Sequence, residues 1–121
     1  MTDTETSNLP IALIVPTRNR TGPLERMLAS LRAQGRLPAE IIIVDSSDDD
    51  ATRQAVSRFA QGIGPQGCLV NWQRAEELGA AAQRKQGVAL AVQSIVGFCD
   101  DDILFEASCL ERLWSALDDN S

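Results

Sequence analysis

Three carboxylates in a row, Asp100, Asp101 and Asp102, stand directly behind the apolar stretch Ile95 to Cys99. At the end of a buried segment such charges repel one another unless a cation or strong hydrogen-bond donors compensate them. The sequence contains no histidine, which removes imidazole metal sites and Ser-His or Cys-His nucleophile pairs. A metal here would be held by oxygen, which favours magnesium or manganese, and magnesium usually takes one or two carboxylates together with substrate phosphates. The competing explanation is that the acids favour the amino-terminal end of a following helix. Helix capping rarely calls for three adjacent acids behind an apolar run, so metal binding is the preferred expectation.

Other polar groups follow apolar runs in the same way. Pro16-Thr17-Arg18-Asn19 closes Ile11 to Val15, and Asp45-Ser46-Ser47 closes Ile41 to Val44. An acid placed like Asp45 either bonds a ribose or base or stabilises its own turn through an Asx contact, and its position alone leaves both open. The second acidic run, Asp48 to Asp50, precedes Ala51 and Thr52 and is expected, with Ser47, to cap a helix and fill its first turn. Arg84 and Lys85 interrupt the small residues Gly79 to Ala82. Arginine can grip a phosphate with two parallel bonds, although a lone basic pair is more often a solvated helix face. Trp72 and Trp114 fall in apolar patterns and read as core. Cys68, Cys99 and Cys109 show no paired spacing and read as small core residues.

The elements that must position these groups follow from the hydrophobic periods. Strands are expected at Ile11 to Val15, Ile41 to Val44, Cys68 to Trp72 and Ile95 to Cys99, the third being the weakest signal. Helices are expected from Pro23, in the first helical position, to near Gly35; from Ala51 through Phe59 to Gly62 or Gly64; from Leu78 to Val92; and over Leu110, Leu113 and Leu117. Alternating strands and helices imply an α/β, Rossmann-like three-layer sandwich with a mostly parallel sheet and right-handed crossovers. Ligands of such sheets lie outside the carboxyl ends of the strands, so the three polar clusters are expected to share one edge.

The chain has 121 residues, 44% of them hydrophobic, enough for one domain with a core. Residues 1–9 are expected to form a disordered tail and residues 10–121 the domain. With 11 basic against 17 acidic residues the net charge is −6, which argues against nonspecific nucleic-acid or anionic-membrane binding; an anionic ligand needs a local patch or a bridging cation. No apolar run spans a bilayer and the first residues lack a signal-peptide pattern, so the expected location is cytoplasmic.

Taken together, these residues resemble the family 2 glycosyltransferases of the GT-A fold, over Ile11 to Leu117. Ile11 to Arg20 is similar to that family's first strand and its Pro-Thr-aromatic-Asn turn, and Glu40 to Ser47 to its second strand and acidic turn. Gly79 to Gly87, reading GAAAQRKQG, is similar to its Ala-Arg-Asn-x-Gly stretch, with Arg84 at the arginine, and Val96 to Asp102 to its strand and DXD-type metal motif. The resemblance implies a nucleoside-diphosphate sugar as donor. Pro16, Thr17, Arg18, Asp45, Arg84, Asp100 and Asp101 would form its site, and Asp100 and Asp102 would hold Mn2+ or Mg2+ against the diphosphate. The cation would offset charge on the departing nucleoside diphosphate.

Arg18 stands where the family often has an aromatic residue, Ser46 replaces a second acid, and Lys85 replaces an asparagine. In the family the acceptor site and the catalytic base lie beyond the DXD strand, and this chain ends about one helix past it. The catalytic base is therefore unassigned and the acceptor unknown. The expectation is a donor-binding half that is catalytically incomplete alone, with a bare sheet edge favouring self-association. A non-catalytic nucleotide-binding or assembly module is the rival reading. A phosphoacceptor signalling domain would need acids after the first strand, and a dinucleotide-binding oxidoreductase a GxGxxG turn, which is absent.

Overall fold

The computed structural model describes residues 8–119. Strand β1 (Leu9–Thr17) leads to helix α1 (Thr21–Arg32), β2 (Pro38–Asp45), α2 (Ala51–Ile63), a 3-10 turn (Gly64–Gln66) and β3 (Leu69–Arg74). Helix α3 (Ala80–Leu90), β4 (Ile95–Phe98) and α4 (Cys109–Asp119) complete it. The sheet order is β3-β2-β1-β4 and every pairing is parallel.

That order explains where the helices go. The chain moves outward from β1 to β2 to β3, then α3 returns it across the sheet to the other side of β1. A right-handed crossover that reverses direction must use the opposite face. Side chains of β1 alternate accordingly. Leu9, Ile11, Leu13 and Val15 join the core with Leu24, Met27, Leu28 and Leu31 of α1, Val56 and Ile63 of α2 and Leu110 of α4. Ile14, with Ile42 and Val44 of β2, faces the α3 side, against Leu90 and Ala91. Helix α3 sits close because Gly87 has no side chain: a methyl group there would overlap the Ile14 Cγ2 methyl and lie 3.3 Å from Cγ1.

Several element ends differ from the sequence expectation: β2 runs over Pro38–Asp45, β3 over Leu69–Arg74, β4 stops at Phe98 and α1 at Arg32. Strand β1 starts at Leu9, which is fully buried, and the Asn8 side-chain amide bonds the Gln66 carbonyl at 3.0 Å; residues 1–7 of the expected tail lie outside the described residues. Helix α1 begins at Thr21, so Pro23 is its third residue rather than its first, a position whose missing N–H would lack an intrahelical partner anyway. Helix α3 is shorter than Leu78 to Val92. It begins only after Gly79, whose φ of 115° breaks the helical path, and ends where Ala91 turns extended. The buried Glu40 carboxylate then receives the Val92 and Gln93 N–H groups at 3.0 and 3.4 Å.

Strand β4 is a short edge. Ile95 and Phe98 are exposed, and an apolar groove of about 500 Å³ beside them is lined by Ile11, Leu13, Ile103, Phe105, Leu110 and Leu113, among others. No helix among the described residues is long and apolar enough to cross a membrane.

Candidate functional site

Parallel register brings the polar clusters together. Thr17 pairs with Asp45, and Asp45 with Arg74. On the other side Ile14 pairs with Phe98, and three residues further along each chain come Thr17 and Asp101, whose side chains bond at 2.9 Å. The direction in which successive strands are added to the sheet reverses between β1 and β4, and the crevice of an open α/β sheet forms at such a switch point. A cavity of about 360 Å³ lies there, lined by Pro16, Thr17, Arg18, Arg20, Gly79, Ala80, Gln83, Arg84 and the three acids.

The acids differ from one another. Asp101 is buried, accepting from the Thr17 hydroxyl and from Arg20 Nε at 3.0 Å. Asp100 and Asp102 are exposed, paired with Arg84 at 3.6 Å and Arg20 at 3.2 Å respectively. Repulsion within the run is thus offset by two guanidiniums and one hydroxyl. Burial, and after it the charges of Asp100, Asp101 and Asp102, push the neighbouring Cys99 thiol up to about 12, so Cys99 is an inert core group rather than a nucleophile.

Helix α3 aims its amino terminus at the same cavity. Gly79 holds the cap position and no side chain caps the helix, so the first-turn N–H groups of Ala80, Ala81 and Ala82 carry the partial positive charge that attracts phosphate. The helix end is fixed by Gln83. Its buried amide donates to the Thr17 carbonyl at 3.2 Å and the Val44 carbonyl at 2.7 Å, and accepts from the Ser46 hydroxyl at 3.1 Å and the Gly79 N–H at 3.2 Å. One side chain therefore joins the ends of β1 and β2 to the start of α3.

The loops after β1 and β2 interlock. Asn19, with a φ of 53° that asparagine tolerates better than most residues, donates its N–H to the Ser47 hydroxyl at 2.7 Å. Its side-chain amide exchanges bonds with Asp48, giving to the carboxylate at 3.1 Å and taking from the backbone N–H at 2.9 Å. Arg18 bonds the Ser46 carbonyl at 3.0 Å and pairs with Asp48 at 3.5 Å. The run Asp48 to Asp50 therefore does less capping than its sequence implies. Asp50 occupies the cap position of α2 without a side-chain bond, only Asp49 receives the Ala51 N–H, at 3.1 Å, and no acid lies in the first turn.

Asp45 is wholly buried. One carboxylate oxygen accepts the Ser47 N–H at 2.8 Å, an Asx contact, and the other accepts the Trp72 indole N–H at 2.9 Å. Trp72 is half-buried instead of being core throughout. Arg53 and Arg74 lie over its ring, 4.7 and 5.2 Å from the centroid, and Arg74 also bonds the Ser47 carbonyl at 2.6 Å.

For a divalent metal the donor chemistry fits: Asp100 and Asp102 present exposed carboxylates at the rim of one cavity, the one-or-two-carboxylate arrangement that suits magnesium when a phosphate completes the shell. Among the described residues no group of three or more potential ligands converges to hold an ion unaided.

The register gathers Pro16, Thr17, Arg18, Arg84 and Asp100 to Asp102 around this cavity, while Asp45 is set back behind the β2 turn. Arg20 and Gln83 were not singled out from the sequence, and Trp72 was read only as core. Arg20 carried a signal, being a cation within three residues of Thr17. Gln83 stands where the family stretch has alanine, and that mismatch marked it.

A family model described as Glycosyl transferase family 2 matches residues 12–121. The validoxylamine A glucosyltransferase of Streptomyces hygroscopicus subsp. limoneus is 29% identical over 104 residues, covering 82% of this chain and 22% of the relative. Among solved structures, the mannosyltransferase PcManGT from Pyrobaculum calidifontis, in complex with GDP-Man and Mn2+, superimposes with a TM-score of 0.74 at 28% identity, over 93% of this chain and 32% of its own. TarS from S. aureus matches in fold, with a TM-score of 0.74 at 24% identity over 92% of this chain and 20% of its own. The chain thus spans between a fifth and a third of these proteins' lengths.

Proposed function

The chain belongs to glycosyl transferase family 2, and we propose that it forms the donor-binding part of an enzyme that transfers a sugar from a nucleoside diphosphate to an acceptor. The observation that carries this reading is the convergence of Arg18, Arg20, Arg84 and the uncapped start of α3 on one cavity in a chain of net charge −6. The three arginines balance Asp100, Asp101 and Asp102 in the same lining. An acidic protein thus presents here a locally neutral cavity with forked donors and a helix amino terminus, to which a divalent cation would add the charge a diphosphate requires.

In this reading the diphosphate lies against the α3 N–H groups, with Arg84 and Arg18 pairing with its oxygens. Asp100 and Asp102 hold Mn2+ or Mg2+, a role supported by their exposure and by the PcManGT structure with GDP-Man and Mn2+. Asp101 acts by fixing the turn, since Thr17 and Arg20 already engage its oxygens. A bound cation supplies Lewis-acid stabilisation of the negative charge that builds on the leaving nucleoside diphosphate as the sugar's anomeric C–O bond breaks. Arg84 and the helix terminus share that task electrostatically. The nucleoside extends towards the β2 turn, where Asp45 would meet a ribose only by yielding its bond from Trp72; otherwise it serves by holding Ser46 and Ser47 in place. No acid in the chain is assigned as the base, so the proposed activity of this piece alone is binding without turnover, at a cytoplasmic location.

Calorimetry with UDP, GDP and TDP, with and without Mn2+ or Mg2+, tests this. Metal-dependent binding that is lost in Asp102→Ala is expected; metal-independent binding, or an unimpaired variant, would overturn the role given to the acids. A sugar-transfer assay on the same sample is expected to show no turnover.

A further inference from the structure

Arg20 shares the cavity with Arg18 and Arg84 but is the arginine whose guanidinium is held by two of the three acids. It precedes α1 at the cap position, and its guanidinium spans two carboxylates, Nε on Asp101 at 3.0 Å and Nη2 on Asp102 at 3.2 Å. The two ends of that bridge are unequal. Asp101 is held a second time by the Thr17 hydroxyl and is only 10% exposed, whereas Asp102 is 56% exposed and Arg20 itself 49%. The bond to Asp102 is therefore the one that can open, and Asp102 is one of the two carboxylates assigned to the metal.

We propose that Arg20 is an internal counter-ion that competes with the divalent cation for Asp102 and, once displaced, pairs with the diphosphate. This rests on the metal and diphosphate reading given above. The physical basis is charge exchange. A guanidinium neutralises Asp102 while the cavity is empty, and it must leave when a doubly charged ion takes the same oxygen, both because the oxygen is claimed and because like charges repel. Its side chain is long, and the same cavity contains the α3 amino terminus. A diphosphate bound there offers the planar fork a second anionic partner of matching geometry. Each ligand thus removes the obstacle to the other, and cation and diphosphate bind with positive coupling that passes through Arg20.

The test compares the 121-residue chain with Arg20→Gln, Arg20→Lys and Asp102→Asn, each checked for folding by circular dichroism. Mn2+ alone is titrated by calorimetry, with free Mn2+ followed by its electron paramagnetic resonance signal. UDP, GDP and TDP are then titrated in excess Mg2+. Loss of one half-exposed ion pair and one like charge is expected to make Arg20→Gln bind Mn2+ about 3- to 10-fold more tightly than wild type. For the nucleotide in excess Mg2+ the order is expected to invert, with Arg20→Gln about 3- to 10-fold weaker. Arg20→Lys, which keeps the charge and loses the fork, is expected to fall between them in both titrations. A simple structural role would instead weaken both ligands together. If Asp102→Asn loses Mn2+ while Arg20→Gln binds it no better than wild type, the competition is refuted and the metal site stands. Unchanged nucleotide affinity in Arg20→Gln refutes the phosphate role. Unaltered Mn2+ binding in Asp102→Asn overturns the metal site and this proposal with it.

Discussion

Replacing Gln83 with leucine keeps the volume of a buried side chain and removes its amide. The loss falls on the partners. The Thr17 carbonyl still accepts the Ser46 N–H at 3.0 Å, and the Ser46 hydroxyl keeps a long contact to that carbonyl at 3.4 Å. The Val44 carbonyl and the Gly79 N–H lose bonds of 2.7 and 3.2 Å. Gly79 is exposed, so its N–H is left to water, and the Val44 carbonyl is the buried group left unsatisfied; the expected destabilisation is about 1–3 kcal/mol. For a domain of this size that lowers the midpoint of thermal unfolding by roughly 4–12 °C. Circular dichroism melts and urea titrations measure it, and calorimetry on the surviving folded protein should show weaker nucleotide binding because the start of α3 is no longer tied to the strand ends. Gln83→Glu separates the two halves of the amide. Its carboxylate can still accept from Ser46 and Gly79 but faces the Thr17 and Val44 carbonyls, so burial and those oxygens raise its pKa. Stability of this variant should recover as the pH falls from neutrality towards the ordinary glutamate value of about 4.3, where the protonated group can donate again. A Gln83→Leu midpoint within about 2 °C of wild type would refute the reasoning.

Gly87→Ala forces a methyl group into Ile14 and is expected to cost about 1–3 kcal/mol by urea unfolding, with Ile14→Val in the same chain recovering part of the loss. Trp72→Phe removes the indole bond to Asp45 while keeping a ring beneath Arg53 and Arg74, for an expected cost of about 1–2 kcal/mol in thermal melts. The Cys68 thiol is pushed up to about 11, first by burial and then by Glu40. A raised pKa favours the folded state fully below the unfolded thiol value, so Cys68 and Cys99 both make stability decline as the pH rises above about 9, and Cys68→Ala should remove the Cys68 share, on the order of 2 kcal/mol by about pH 11. For the same reason Cys68 and Cys99 should resist iodoacetamide at about pH 8 until the chain is unfolded, as mass spectrometry would report.

The order and type of the strands and α-helices were legible because β1, β2, β4, α1, α2 and α4 carry clear apolar periods and α3 is rich in alanine, and parallel topology then places the ends of β1, β2 and β4 on one edge; the 3-10 turn Gly64–Gln66 was not foreseen. Even β3, the weakest signal, was expected at Cys68 to Trp72 and is found at Leu69–Arg74. What escaped was set by pairs rather than patterns. A period of four cannot reveal that Gln83 reaches Val44, 39 residues away, or that Arg20 reaches Asp102 across 82. Trp72 packs against the core as expected, but an apolar pattern reports the ring and not the indole N–H, which found Asp45. Asp45 itself could not be decided from position. The outcome depended on whether the third strand offered a donor at the same level, and the pairing of Asp45 with Arg74, two residues beyond Trp72, supplied one.

The cavity is closed by bonds between residues 81 to 84 apart, from Thr17 and Arg20 to Asp101 and Asp102. The β1–α1–β2 portion contains its own local pairings and can assemble early, whereas joining β4 to β1 requires closing most of the chain into a loop, a late and entropically costly event. Strand β4 contributes only four residues and is exposed at both its first and last positions, so it belongs to the part of the molecule that opens most readily without global unfolding. The pocket therefore exists only while β4 is docked. A ligand that bridges Thr17, Arg84 and the acids acts as a clasp on the sheet's last strand, and its binding should appear first as slowed amide exchange in β4, far more than in β2 at the sheet's centre.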